Sequence, residues 1–179
     1  MKILGIDPGL LATGYGLVET QLNFDGPDVL IETGIVEPDT RESLPKRIQK
    51  IYRHLDQIVR EFEPGILVLE KLYSHYRHPT TACLLGHVRG VIILLGENRR
   101  LRVVEYSPKR IRKALTGNGN ASKEQVREFV AHHFKIKASQ LTLDASDAIA
   151  LALGYARMEA PRLIECAQKR VEVSVERSR

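Results

Sequence analysis

Four acidic residues in this 179-residue chain stand where a carboxylate calls for a chemical reason. Asp7 closes the apolar run Ile3-Leu4-Gly5-Ile6, and Glu70 closes the wholly apolar run Ile66-Leu67-Val68-Leu69. Short runs of this kind read as buried strands. If the two strands are parallel neighbours, both carboxylates leave the sheet at the edge where α/β sites form. Taken singly, each is as well read as a solvated strand end. Asp144 and Asp147 lie three apart and so share one face of a helix. Acids in a first turn commonly cap backbone N–H groups and favour the dipole, and that reading suffices for Asp144. It fits Asp147 less well, because Ala148-Ile149-Ala150-Leu151-Ala152-Leu153 is apolar nearly all round and such a helix is buried.

Four converging carboxylates would repel by about 4 kcal/mol per pair at ~4 Å and an effective dielectric near ~20. Bound divalent cations relieve that repulsion. Oxygen ligands from well-separated elements suit Mg2+ or Mn2+, whereas zinc prefers His and Cys. The six His residues show no HxxxH or HxH spacing. Two such ions can clamp the attacking water and the leaving oxygen of a phosphodiester.

Charge points to the same class of substrate. The net charge is only +5, but residues 99–137 hold eleven Lys or Arg against three acids, Glu105, Glu124 and Glu128. The rest of the chain is slightly acidic. A cationic lobe on an acidic body implies a polyanionic partner, the alternative being a pair of well-solvated helices. Cys83 and Cys166 form neither a CxxC nor an even framework, so a reducing interior is the simpler setting. No run reaches the ~18 apolar residues of a membrane helix, and Asp7 interrupts the opening apolar stretch too soon for a signal peptide. The expectation is a cytoplasmic protein with no membrane partner.

The elements that must position these residues follow from periodicity and punctuation. Residues 2–7, 13–20 and 29–37 read as three strands joined by tight turns. Helical spacing starts at Ser43 or Leu44 and runs to Phe62, with Ile48, Ile51, Leu55, Ile58 and Val59 on one face, stopped by Glu63-Pro64-Gly65. A strand at 66–70, a helix at 80–99 and a strand at 101–106 follow. Ser107-Pro108 starts a helix that Gly117 and Gly119 break, and Ser122 with Gln125 makes a capping box for the next. A last helix covers 143–159 and stops before Pro161. Strands joined by turns pair antiparallel and strands joined through helices pair parallel. The fold class is α/β, a mixed five-stranded sheet flanked by helices, with one domain over residues 1–160 and a charged tail or marginal helix over 161–179.

The ordered set Gly5-Ile6-Asp7-Pro8-Gly9, Thr13-Gly14-Tyr15-Gly16, Glu70, Leu85-Gly86-His87-Val88-Arg89-Gly90, Gly117-Asn118-Gly119 and Asp144-Ala145-Ser146-Asp147-Ala148 resembles the bacterial RuvC family of Holliday junction resolvases from Met1 to about Tyr155. The resemblance implies a ribonuclease H-like fold, a homodimer, and metal-dependent symmetric nicking of four-way junction DNA in recombination and repair. It places metal ligands at Asp7, Glu70, Asp144 and Asp147, and implies that they hold Mg2+, two per subunit, with Mn2+ as a substitute. Lys123 resembles a family lysine that assists at the phosphate. Arg112 stands where the family has a second lysine, and Tyr73 where it usually has a phenylalanine near the junction centre. Arg110, Lys113, Gly117 and Gly119 are further candidate DNA contacts. The RuvA and RuvB branch-migration machinery is the implied partner.

Lys123 sits in a first helical turn, where a cation opposes the dipole, as expected of a residue held there for a phosphate. For the dimer, the helix at 80–99 has more apolar surface than one core stripe needs, in Leu84, Leu85, Val88, Val91, Ile92 and Leu95. Gly86 and Gly90 suit close approach of another backbone, or of the protein's own sheet. Three rivals stay open at this point: an actin-like or sugar-kinase ATPase, a non-catalytic junction-binding module, and another ribonuclease H-like nuclease.

Overall fold

The computed structural model describes residues 1–21, 26–71 and 79–176, except for the side chains of Pro79 and of residues 160–176. Strands β1 (Lys2–Asp7), β2 (Thr13–Glu19) and β3 (Val29–Val36) lead into α1 (Leu44–Phe62), β4 (Ile66–Glu70), α2 (Pro79–Asn98) and β5 (Arg102–Tyr106). Helices α3 (Pro108–Thr116), α4 (Lys123–Phe134) and α5 (Leu143–Glu176) complete the chain, with a 3-10 turn at Ala138–Gln140. The sheet order is β3-β2-β1-β4-β5. The first three strands pair antiparallel, while β1, β4 and β5 run parallel. This is the expected mixed five-stranded sheet of a ribonuclease H-like α/β fold.

Strand alternation divides the core into two layers. Leu4, Ile6, Leu67 and Leu69 point to the layer under α1 and α2, with Ile51, Leu55, Val88, Ile92 and Leu95. Ile3, Ile66 and Val68 point to the layer under α5, with Ile149, Leu153 and Tyr155. The period of two carries Asp7 and Glu70 onto this α5 side.

Helix α5 lies on the sheet through a glycine seat. A Cβ on Gly5 would come within 2.0 Å of the Ala148 carbonyl oxygen, and one on Gly14 within 2.2 Å of the Asp144 carbonyl oxygen. One on Gly16 would meet the Ile149 Cα at 2.8 Å. Three glycines thus let the helix backbone approach the strands directly, which fixes the height of Asp144 and Asp147 above the sheet.

Two expectations are corrected. Helix α5 does not stop before Pro161 but continues to Glu176. Proline's fixed φ is compatible with helix; what it forfeits is its hydrogen bond to the carbonyl four residues earlier, at a cost of about 3 kcal/mol. The segment 80–98 also passes for a membrane span by length and composition. One face of it nevertheless packs Val88, Ile92 and Leu95 into the core, and Arg89 is buried beside them.

Candidate active site

Asp7 and Glu70 arrive together because β1 and β4 are parallel and in register. Ile3 pairs with Ile66 and Ile6 with Leu69, so the two strand ends carry their acids side by side. The loop after Asp7 is fastened at three points. Thr13 Oγ1 donates to the Gly9 carbonyl at 2.6 Å and accepts from the Gly9 N–H at 3.3 Å. Arg47 Nη2 donates to the Leu10 carbonyl at 2.7 Å.

Asp144 and Asp147 come from the first turns of α5. The cap of this helix is Thr142, whose Oγ1 accepts from the Ala145 N–H at 3.1 Å. Asp144 is thereby free of the capping duty that the sequence allowed it. Asp147 faces inward, its side chain only 12% exposed, and its Oδ2 meets Lys123 Nζ at 2.5 Å. Lys123 opens α4 behind a complete capping box of Ser122 and Gln125.

These groups share one electrostatic field. Burial, then the charges of Glu70 and Asp147 and, beyond the opposing pull of Lys123, that of Asp144, push the Asp7 carboxyl up to about 7. Burial and the charge of Asp147 also raise Glu70, against the pull of Lys123, Arg112 and Arg89. For Lys123, burial works to lower the pKa, but the hydrogen bond to Asp147 and the charges of Asp147, Asp7 and Asp144 outweigh it and raise the pKa. A carboxyl that holds its proton to neutral pH among other acids is one that a cation would relieve. Among the described residues no three acids close on a single point as a ready metal cage. The donors fit a hard divalent cation in type and charge, and Lys123 engages one of them.

The other expected residues divide. Arg112 is half-buried and close enough to lower Glu70, and with Glu70 and Asp147 it lines a small crevice between β4, α3, α4 and α5. Arg110 is exposed, its guanidinium 4.9 Å from the centre of the Tyr106 ring. Lys113 is exposed on α3. Gly117 takes φ 76° and closes α3 as a left-handed cap, its N–H bonded to the Lys113 carbonyl. A Cβ on Gly119 would crowd Lys109 Cγ at 2.9 Å. Both glycines therefore have local structural reasons to be there. Tyr73 lies outside the described residues.

Two features escaped the sequence reading. One is the glycine seat under α5, whose signal was the Gly14/Gly16 alternation beside Gly5. The other is Arg89 on α2, buried and bonded to the Glu70 carbonyl and the Glu105 carboxylate. An arginine inside an apolar helical run was its signal.

A sequence model described as "Crossover junction endodeoxyribonuclease RuvC" matches residues 3–155. A relative of the same description from Rhodopirellula baltica is 36% identical over 152 residues, covering 84% of this chain and 83% of the relative. The structure of Thermus thermophilus RuvC superposes with TM-score 0.79 at 27% identity, over 89% of this chain and 98% of that one. A second structure of the Thermus protein, in complex with Holliday junction substrate, gives TM-score 0.78 at 24% identity, over 89% of this chain and 98% of that one.

Proposed function

Because the chain belongs to the RuvC family of crossover junction endodeoxyribonucleases, we propose that it resolves four-way DNA junctions by paired nicking at the Asp7, Glu70, Asp144 and Asp147 cluster. Nucleases of this family generally depend on a divalent metal. Here the reading is Mg2+, two per subunit, with Mn2+ as a substitute. The observation that carries it is the meeting of Asp7 and Glu70, at the parallel, in-register ends of β1 and β4, with Asp147 of α5 and its partner Lys123, an arrangement that with burial pushes the Asp7 carboxyl up to about 7.

In this reading the four carboxylates hold the metal, which supplies the positive charge that offsets the charge developing on the phosphate. Lys123, steadied by Asp147, presents its ammonium at the rim of the site for the scissile phosphate. Arg112 flanks Glu70, while Arg110 and Lys113 on α3 hold backbone phosphates. Gly117 and Gly119 shape the turn beside them, and Tyr73 stacks near the junction centre. The nuclease domain comprises residues 1–160.

Two symmetric cuts in a two-fold junction need two sites, and a C2 dimer supplies them. Helix α2 suits its interface. Among the described residues nothing lies within 4 Å of a Cβ added to Gly86 or Gly90, so they do not serve packing against the protein's own sheet. They share the exposed side with Ile93 and Leu94, 41% and 55% exposed, whereas Val88, Ile92 and Leu95 belong to the core. The working partners are junction DNA, a second copy of the chain and, in the cytoplasm, RuvA-RuvB.

The test is cleavage of a labelled four-way junction with Mg2+, beside plain duplex and an RNA–DNA hybrid. Paired nicks confined to the junction are expected. Binding without cutting, or preferential cutting of the hybrid, would overturn the proposal in favour of a binding module or a different nuclease.

A further inference from the structure

Arg89 is the most deeply buried basic side chain near the site, with the whole residue only 5% exposed. It projects from the middle of α2 toward the α2 side of the sheet, where Leu67, Leu69 and Val103 pack. Nη1 donates to the backbone carbonyl of Glu70 and Nη2 donates to Oε1 of Glu105. Glu105 pairs with Leu69 across the β4–β5 ladder, and the next register pair is Glu70 with Tyr106. One guanidinium thus clasps the last residue of β4 and the next-to-last of β5 and ties both to α2.

A buried arginine carries a large desolvation cost, and this one offsets it with two oxygen acceptors of different strands. The carbonyl it holds belongs to the residue whose side chain points to the opposite face, toward Asp147. Just beyond it, the Lys71 N–H donates to the Tyr106 carbonyl at 2.8 Å. Without Arg89, Glu70 would lose the guanidinium that ties its carbonyl to α2 and to Glu105. Its carboxylate would then sample a wider range of positions against Asp7 and Asp147. Side chains that orient ligands from behind change metal affinity or rate by about 10- to 100-fold when removed.

We propose that Arg89 is a positioning residue: by clasping the Glu70 carbonyl together with Glu105, it fixes the strand end that presents the Glu70 carboxylate to the metal. This rests on the metal-site reading above. The same arginine makes α2 part of the site's frame, so the helix with the open glycine stripe is also the one that holds Glu70.

The experiment compares Arg89→Met, Arg89→Lys and Glu105→Gln with the unaltered full chain. Mn2+ binding without DNA is measured by electron paramagnetic resonance titration, beside single-turnover cleavage and junction affinity, all normalised to folded protein. Arg89→Met is expected to weaken Mn2+ binding and slow cleavage by about tenfold or more, with junction affinity within about twofold. Glu105→Gln should move both in the same direction by less, because the bond to the Glu70 carbonyl survives. Should Arg89→Met not fold, Arg89→Lys decides: its single ammonium cannot reproduce the two-pronged clasp and should also weaken Mn2+ binding. A folded Arg89→Met or Arg89→Lys with unchanged Mn2+ affinity and rate overturns the proposal. Asp7→Asn, run in parallel, tests the metal site itself, so the two failures are told apart.

Discussion

The Lys123 ammonium lies 2.5 Å from the Asp147 carboxylate and joins the first turn of α4 to the second turn of α5. Each partner is poorly placed by itself, the lysine opposing a helix dipole and the aspartate buried against an apolar helix. Together they stabilise each other at the mouth of the acid cluster. Removing the lysine leaves Asp147 without its cation and takes away a pull that holds Asp7 and Glu70 down. Lys123→Ala is therefore expected to slow single-turnover cleavage by about a hundredfold or more. Junction affinity should fall by no more than one phosphate contact. An equal loss in rate and affinity would make Lys123 an ordinary backbone contact.

The raised carboxyls fix how metal and pH act on stability. Without metal, the folded protein keeps the Asp7 proton up to about pH 7, whereas the ordinary value is 3.8. The stability contributed by that proton is full below about pH 4 and is lost as pH rises toward 7, amounting to about 4 kcal/mol at most. Glu70 acts in the same direction. Mg2+ replaces the proton and is bound only by the ionised acids. The rise in Tm produced by saturating Mg2+ should thus be larger at pH 8 than at pH 5.5, as read by thermal melts. Equal shifts at the two pH values would remove Asp7 from the metal site.

The glycine seat predicts a stability and activity defect far from any charge. In Gly5→Ala the new methyl would sit 2.0 Å from the Ala148 carbonyl and 2.8 Å from the Ala152 nitrogen, both backbone atoms. The helix must rise, at a cost of about 3 kcal/mol, and Asp144 and Asp147 rise with it. Urea unfolding should show the loss of stability, and the protein that remains folded should cut slowly. Normal stability would mean that α5 is not seated on β1.

Much of this was legible beforehand, for physical reasons that differ by element. β4 and α1 have the predicted bounds because Glu63-Pro64-Gly65 separates them sharply and Glu70 ends the apolar run. The Asp7–Glu70 pairing was readable because a period of two and parallel register leave little freedom. The Thr142 cap was hidden because Asp144 offered a competing cap two residues later. Arg89 was hidden because its partners are a backbone carbonyl and a glutamate sixteen residues away. On α2, the apolar pattern alone could not tell Val88, Ile92 and Leu95, which face the core, from the open stripe of Gly86 and Gly90.

That open stripe yields the assembly prediction. Leu94 is 55% exposed and lines an apolar groove between α1 and α2 with Ile48 and Val91, so Leu94→Glu should leave the fold intact. It should give monomers in analytical ultracentrifugation that nick one strand but lose paired cutting. A dimer unaffected by this change and by Gly86→Ala would place the interface elsewhere.

The central claim is that the acid cluster at the β1–β4 edge performs the cut. It is tested most directly by single-turnover cleavage of a labelled four-way junction with Mg2+, comparing the unaltered protein with Asp7→Asn and measuring junction binding on the same samples. The amide keeps the shape of Asp7 and loses the charge that holds a cation. The expected result is paired nicking by the unaltered protein and none by Asp7→Asn, with junction affinity unchanged or improved. Near-normal cleavage by folded Asp7→Asn would contradict the account.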